Sequence, residues 1–218
     1  MATAVAAATA AEGSAAIADA PRASPRSLAT AAPDIVTIFP PEEDVCLSEF
    51  PPILCAQRDL TLIRATAKEE EEVNVVIDDE VDDQVVELLG LHANLGFALN
   101  GMELPFLVFQ LKNVNRYLRW ELVVTDTSGQ AYNISASNRQ SAVRAKRLSC
   151  SLPITLCPGW NRVCLDLPKI CRHAFGVQYK STIGLRIFAN CRIWRLFFQD
   201  RDYADDELPP HLRVVEPL

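Results

Sequence analysis

Five acidic side chains fall within eight residues near the end of the chain, in the segment Asp200-Arg-Asp-Tyr-Ala-Asp-Asp-Glu207. Carboxylates at this density could bind Ca²⁺, but a calcium loop needs oxygen ligands at its first, third, fifth and twelfth positions and glycine at its sixth. Counted from Asp200, alanine stands fifth, aspartate sixth and histidine twelfth. Because the pattern fails at these three positions, the sequence predicts no metal site here.

The same segment is better explained as a structural corner than as a catalytic site. The paired carboxylates of a glycosidase come from facing strands, whereas these acids share one loop. Aspartate side chains commonly accept backbone N–H bonds in tight turns. We therefore predict a corner after the last strand, with Tyr203 packed inward and with three acidic residues that hold the turn, Asp200, Asp205 and Asp206.

No other motif indicates catalysis. The glycine patterns of nucleotide-binding loops are absent, and so are the GxSxG and HExxH motifs of hydrolases and metalloproteases. The three histidines are scattered, and the seven cysteines contain no CxxC pair. Reduced, buried thiols are the simplest interpretation of those cysteines. The sequence thus predicts a protein that is not an enzyme and that needs no cofactor or metal ion.

Positive charge is the more informative feature of the second half of the chain. Residues 1–100 carry five basic and 18 acidic side chains, whereas residues 101–218 carry 16 basic and ten acidic ones. Four cations lie in one predicted loop between strands, and one more lies on a later strand: Arg139, Arg144, Lys146, Arg147 and Arg192. An ordinary solvated loop explains this charge equally well, but a contact surface for an acidic partner is the functional interpretation.

Short strands with alternating apolar residues must position these side chains. Three apolar positions fall on one face in each of three predicted strands: Trp120, Leu122 and Val124; Val163, Leu165 and Leu167; Ile183, Leu185 and Ile187. The turn Asp126-Thr-Ser-Gly129 joins the first of these strands to a return strand. Many such strands with turn signals between them predict an all-β fold, an antiparallel β-sandwich or jelly roll.

One short helix and an N-terminal tail complete the predicted organisation. Pro168 suits a first helical turn, and Gly176 suits a helix end. Residues 1–44 are rich in alanine, serine and proline, so we predict a disordered tail there and a jelly-roll domain over residues 45–218. No apolar run approaches the roughly 20 residues of a membrane span, so no membrane partner is expected.

Several stretches of the chain together resemble one known family. They are Glu103-Leu-Pro-Phe-Leu-Val-Phe-Gln-Leu-Lys-Asn113, Ala136-Ser-Asn-Arg-Gln-Ser141, Gly159-Trp-Asn161 and residues 184–209, which contain Ala189-Asn-Cys-Arg-Ile193 and Asp206-Glu-Leu-Pro209. These stretches are similar to the domain of cilia- and flagella-associated protein 20 and its relatives. The resemblance is strong over residues 101–216 and faint over residues 45–100.

The resemblance implies a jelly-roll β-sandwich without enzymatic activity. The best-known members of the family line the inner junction of ciliary doublet microtubules, where they contact tubulin and neighbouring luminal proteins. The resemblance therefore implies a structural protein of the ciliary or flagellar axoneme and basal body, with tubulin, the doublet microtubule and other inner-junction proteins as its partners. An acidic tubulin surface suits the basic half of this chain, and the five cations named above are the predicted contacts.

Two alternatives stay open. Relatives also occur in lineages without cilia, with suggested nuclear roles. The second hypothesis is therefore a nuclear adaptor or a nucleic-acid-associated β-sandwich protein in a non-ciliary role, located in the nucleus or the cytoplasm. No RRM, zinc-finger or helix-turn-helix pattern supports it. A carbohydrate-binding module is the third hypothesis, and its exposed aromatic platform would have to come from Trp120, Trp160 or Trp194. Of these, Trp160 follows a Pro-Gly turn and is predicted to lie in the core.

Overall fold

The computed structural model describes residues 34–39, 60–65, 73–91 and 93–213. Within these residues the chain forms thirteen strands, one α-helix and two 3-10 helices. The strands are β1 (Ile35–Phe39), β2 (Leu60–Ala65), β3 (Val73–Asp78), β4 (Asp83–Leu88), β5 (Asn94–Met102), β6 (Phe106–Asn113), β7 (Arg119–Asp126), β8 (Ala131–Ser137), β9 (Arg144–Ala145), β10 (Ser149–Pro153), β11 (Gly159–Asp166), β12 (Tyr179–Phe188) and β13 (Cys191–Gln199). The helix α1 spans Leu167–Phe175, and the 3-10 helices span Asp205–Glu207 and Pro210–Leu212.

The strands form two sheets that pack face to face. The six-stranded sheet has the order β11-β6-β13-β4-β3, with β1 also paired to β13, and the seven-stranded sheet has the order β2-β5-β12-β7-β8-β10-β9. Trp120 of the seven-stranded sheet stacks on Phe109 of the six-stranded sheet, with 5.4 Å between the ring centroids, and both side chains are buried. The prediction of an all-β sandwich with one short helix is therefore confirmed.

The alternation of apolar residues places most of the core as predicted. Trp120, Leu122 and Val124 are all buried, and so are the three predicted inward residues around β11. The third strand differs, because β12 shifts register between Thr182 and Gly184 against both of its neighbours. Because of this irregularity, the Ile183 side chain does not point to the core with Leu185 and Ile187, and it is 39% exposed. One further difference is that β10 runs parallel to β8, whereas antiparallel pairing was predicted.

β13 is the last of the strands in the described residues, yet it lies inside its sheet. It pairs with β6 from residue 191 to residue 199. On its other edge it pairs first with β4, at residues 191–193, and then with β1, at residues 196–199. β1 is rich in β-branched and apolar residues, and it pairs with the edge of β13 that β4 leaves unpaired. The prediction of a disordered tail is therefore wrong for residues 35–39. Residues 1–33 and 40–44 of the predicted tail lie outside the described residues.

The predicted helix is confirmed at both ends. The Asp166 carboxylate accepts a hydrogen bond from the Lys169 N–H over 2.8 Å, which caps the N-terminus, and Pro168 lies in the first turn. Gly176 ends the helix with a φ of 70°, a left-handed conformation that favours glycine. Within the described residues, no helix combines the length and the apolar character that crossing a membrane requires.

The segment after β13 covers part of the outer face of the six-stranded sheet. Val108 and Phe197 point to that face, where Tyr203, Leu208 and Leu212 pack against them in a buried cluster. A hydrogen bond also holds the last turn, because the side-chain amide of Gln110 on β6 donates to the Leu212 carbonyl over 2.8 Å. The C-terminal segment is thus an integral layer of the domain.

Candidate functional site

Three of the predicted contact residues lie together at an edge of the seven-stranded sheet. Arg144 begins β9 and pairs with Ser151 of β10, and Lys146 and Arg147 follow in the connection to β10. All three basic side chains are exposed. None of them forms an ion pair with another residue in the described part of the chain. We call Arg144, Lys146 and Arg147 the basic strip.

Arg139 lies apart from the basic strip, in the connection between β8 and β9. Its guanidinium lies over the ring of Tyr117, 5.4 Å from the ring centroid, and both side chains are exposed. A cation over an aromatic face is attracted by the ring quadrupole, and the contact restricts the orientation of the arginine. Arg139 therefore presents its charge at the end of the sandwich where the β6–β7 connection lies.

Arg192 lies on the six-stranded sheet and is engaged by two acids. Its Nη1 donates to Asp78 Oδ2 over 2.7 Å, and its Nε donates to Glu87 Oε1 over 2.8 Å. These hydrogen bonds, with that to Asp78 the strongest, raise the pKa of the Arg192 guanidinium. The structure thus groups Arg192 with a buried ion cluster and not with the basic strip, and partner binding by Arg192 stays a prediction.

Asp78 is the centre of that cluster. It is 1% exposed, its Oδ1 accepts from Trp160 Nε1 over 3.1 Å, and its two oxygens accept from Lys112 Nζ over 3.1 and 2.9 Å. Burial by itself raises the pKa of the Asp78 carboxyl, but the hydrogen bonds from Lys112, Arg192 and Trp160 outweigh it and lower the pKa to about 2. Sequence reasoning missed this cluster, because its members come from five strands, β3, β4, β6, β11 and β13.

All three tryptophans of the chain are buried. Trp120 lies in the core, while Trp160 and Trp194 meet edge to face, 5.9 Å apart at their centroids, in an apolar cluster with Val85. The Trp194 indole N–H donates to Asp83 Oδ2 over 2.8 Å. The prediction that Trp160 is buried is confirmed. None of the three residues proposed for a carbohydrate platform is exposed enough to form one.

The acidic segment turns the chain back over the six-stranded sheet. Asp200 accepts a hydrogen bond from the Tyr203 hydroxyl over 2.5 Å. Tyr203 is 3% exposed and packs inward, as predicted. Burial raises the pKa of the Tyr203 hydroxyl, and its hydrogen bond to Asp200 raises it further. These contacts place Asp200 and Tyr203 at the start of the corner.

Glu207 makes a backbone contact of the kind that was predicted for Asp205 and Asp206, and it also pairs with an arginine. Its carboxylate accepts from the Ala204 N–H over 2.9 Å and pairs with Arg201 over 3.0 Å. The bond from Ala204 lowers the pKa of the Glu207 carboxyl. Asp205 and Asp206 are exposed in the 3-10 helix, and their predicted role in the corner stays a prediction. A capping box pairs Ser or Thr with a Glu three residues later, and only its glutamate is present here, because alanine stands at position 204.

Asparagine side chains tie together the loops at one end of the sandwich. Asn138 accepts from the Leu118 N–H over 3.0 Å and donates to the Arg116 carbonyl over 2.7 Å, which links the β8–β9 connection to the β6–β7 connection. Asn113 donates to the Cys157 carbonyl over 3.2 Å, which links the same region to the β10–β11 connection. These bonds satisfy backbone groups that no strand partner reaches.

Two further asparagines continue this arrangement. Asn190 donates to the Tyr117 carbonyl over 3.2 Å and accepts from the Gly90 N–H over 3.0 Å. Asn161 accepts from the Cys157 N–H and donates to its carbonyl, each over 2.8 Å. All four asparagines belong to the stretches that carry the family resemblance. We call the loops that they connect the asparagine-braced end.

Nothing in the described part of the chain groups three or more His, Cys, Asp or Glu side chains as a metal site. Burial raises the pKa of Cys191 to about 12 and, together with the charge of Asp126, that of Cys171 to about 11. A raised pKa disfavours the thiolate that nucleophilic catalysis or metal binding requires. His92 and the two cysteines before residue 60 lie outside the described residues.

These features define the class of the protein: a β-sandwich domain with an exposed basic strip and a braced loop end. The model of the CFA20 domain matches residues 52–216. The chain belongs to the CFA20 domain family.

Curated relatives agree with this assignment. The chain is 34% identical over 151 residues to the cilia- and flagella-associated protein 20 of Paramecium tetraurelia, covering 66% of this chain and 79% of that protein. It is 34% identical over 154 residues to the protein of the same name from Caenorhabditis elegans, and the alignment covers 67% of this chain and 76% of that protein. It is 33% identical over 151 residues to the cilia- and flagella-associated protein 20 of Chlamydomonas reinhardtii, and the alignment covers 66% of this chain and 80% of that protein.

Among solved structures, the enzymatically active domain of the bacteriophage CBA120 tailspike protein 4 aligns with a TM-score of 0.32 and 16% identity, over 65% of this chain and 19% of that chain. A likeness this weak carries no argument about function.

Proposed function

We propose that this chain is a non-enzymatic structural protein of cilia and flagella that binds tubulin at the inner junction of doublet microtubules. Membership of the CFA20 domain family carries the proposal, because relatives in a ciliate, a nematode and an alga are all named cilia- and flagella-associated protein 20. The axoneme and the basal body are the proposed locations, and neighbouring inner-junction proteins are further proposed partners.

The basic strip supports a contact with an acidic protein surface. Its three cations are exposed and have no acidic partner among the described residues, so their charge is available to a partner. Exposed charge contributes more to the association rate and to orientation than to affinity. A rigid sandwich repeated along a microtubule would add many weak contacts, and avidity would make the assembly stable.

Localisation and co-pelleting test the proposal. A tagged copy in ciliated cells should label the axoneme and resist detergent extraction. Purified chain should pellet with microtubules, and the variant Arg144→Glu/Arg147→Glu should reduce pelleting. A matched variant, Arg172→Glu/Lys180→Glu, changes two exposed cations elsewhere and should pellet like the wild type.

Two results would contradict the proposal or a part of it. One is pelleting that the charge reversal in the basic strip leaves unchanged, which would remove the strip as the contact but keep microtubule binding. The other is a nuclear signal together with salt-sensitive binding to RNA or DNA, which would favour the adaptor hypothesis instead.

A further inference from the structure

A polar pocket of about 380 Å³ opens at the asparagine-braced end. Two arginines line it, Arg116 from the β6–β7 connection and Arg139 from the β8–β9 connection. Among the described residues that line the pocket none is acidic, and neither arginine forms an ion pair within the described part of the chain. The pocket therefore carries positive charge that the fold does not neutralise.

The walls of the pocket are held in place by side chains that do not need a ligand. Asn138 bonds to the backbone at Leu118 and at Arg116, so the connections that carry the two arginines are joined directly. The side-chain amide of Asn190, in the β12–β13 turn, donates a hydrogen bond to the Tyr117 carbonyl. The Tyr117 ring lies under the Arg139 guanidinium. A site whose loops and whose Arg139 guanidinium are positioned before binding loses less entropy when a ligand enters.

The remaining lining indicates which anion the pocket suits. Guanidinium groups pair with carboxylates through two parallel hydrogen bonds. Asn115 and the Thr155 hydroxyl are exposed at the rim and add polar groups. Leu156 adds an apolar wall that can take the methylene groups of a glutamate side chain. We infer that this pocket binds an acidic peptide segment through Arg116 and Arg139.

The aromatic residues disfavour a nucleic acid as the occupant. Single-stranded nucleic acids bind by stacking their bases on exposed aromatic rings along a basic groove. All three tryptophans of the chain are buried. Tyr117 is the aromatic residue at the pocket, and it is 37% exposed with Arg139 over its ring. The site offers paired cations without a free stacking platform, which suits the carboxylates of an acidic peptide better than the bases of a nucleic acid.

The inference deepens the proposed function, because an acidic segment of the microtubule partner would enter this pocket while the basic strip meets the adjoining surface. It rests on the proposed function only for the identity of the partner. The pocket itself can be tested with a peptide alone, so the two proposals can fail separately.

Fluorescence anisotropy with the purified full chain and a labelled glutamate-rich peptide tests the inference. The glutamate peptide should bind at low salt and weaken as salt is added, while a glutamine-rich peptide of equal length should not bind. Arg116→Gln/Arg139→Gln should weaken binding about fivefold or more. The matched variant Arg172→Gln/Lys180→Gln removes the same charge elsewhere and should change affinity less than about twofold.

Three results would overturn the inference: no binding of the glutamate peptide, equal weakening by the two double variants, or tighter binding of an RNA oligonucleotide of matched charge. Circular dichroism of both double variants confirms that they remain folded. Microtubule pelleting of the same proteins separates the two proposals. Peptide binding without pelleting would remove the proposed function and keep the pocket, and pelleting without peptide binding would do the reverse.

Discussion

The indole N–H of Trp160 donates a hydrogen bond to Asp78 over 3.1 Å, although 82 positions separate the two residues in the chain. Trp160 lies on β11 and Asp78 on β3, the strands at opposite ends of the order of the six-stranded sheet. Lys112 and Arg192, on strands between them, add positive charge to the same carboxylate. The cluster therefore connects both edges of the sheet through one buried ion.

Replacement of Asp78 should destabilise the fold strongly. The variant Asp78→Ala leaves the Trp160 N–H without its acceptor, while Lys112 keeps Glu80 and Arg192 keeps Glu87. Loss of the buried carboxylate and its charge-assisted hydrogen bonds therefore costs about 1.5–3 kcal/mol. Urea denaturation measures this as a lower free energy of unfolding. Asp79→Ala removes the exposed neighbour and should change it by less than about 0.5 kcal/mol. Equal effects of the two variants would show that the cluster does not contribute.

The same carboxylate should make stability depend on acidic pH. Its pKa is lowered from 3.8 to about 2 in the folded protein, so the ionised form is favoured by folding. The stability it contributes is present above the unfolded pKa and is lost as pH falls from about 4 to about 2. The difference in unfolding free energy between the wild type and Asp78→Asn should therefore shrink over this range. A difference that stays constant with pH would contradict the assignment.

The corner after β13 should depend on Glu207 more than on Asp206. Glu207→Ala removes the cap on the Ala204 N–H and the pair with Arg201, so we expect a lower melting temperature. The matched variant Asp206→Ala removes an exposed carboxylate and should leave the melting temperature close to that of the wild type. Added Ca²⁺ should stabilise none of these proteins. A larger effect of Asp206→Ala, or a rise with Ca²⁺, would refute this account of the corner.

Buried thiols should resist alkylation while the protein is folded. Burial raises the pKa of Cys191 to about 12 and is the main cause that raises the pKa of Cys171 to about 11. Few thiolates therefore exist at neutral pH. Iodoacetamide should leave both residues unmodified in the native protein and label them in urea, as mass spectrometry of peptides can determine. Rapid native labelling of Cys191 would show that its part of β13 opens readily.

The sequence predicts those features that depend on local periodicity or on local capping. Alternation places Trp120, Leu122 and Val124 in the core, and Pro168 and Gly176 bound the helix. Features that depend on distant partners are not visible in the sequence. The acceptors of Arg192 are Asp78 on β3 and Glu87 on β4, which are distant in the sequence. From the sequence alone, Arg192 therefore looks like a cation that is available to a partner.

Two other differences have local causes that the sequence pattern conceals. Ile183 continues the apolar alternation, but the shift in register beside it turns it outward. β1 is short and is preceded by a long stretch of tail-like composition, so its strand character emerges only from its pairing with β13. Strand propensity depends strongly on such context.

The position of β13 has a consequence for synthesis of the protein. A ribosome makes this strand after the twelve other strands of the described residues, yet β6, β4 and β1 all pair with it. Until residue 199 has emerged, the nascent sheet has a gap at its centre and exposes unpaired strand edges, which are prone to aggregation. Completion of the domain therefore waits until β13 has been made, and a chain that stops before residue 191 lacks the strand that joins the two parts of the sheet.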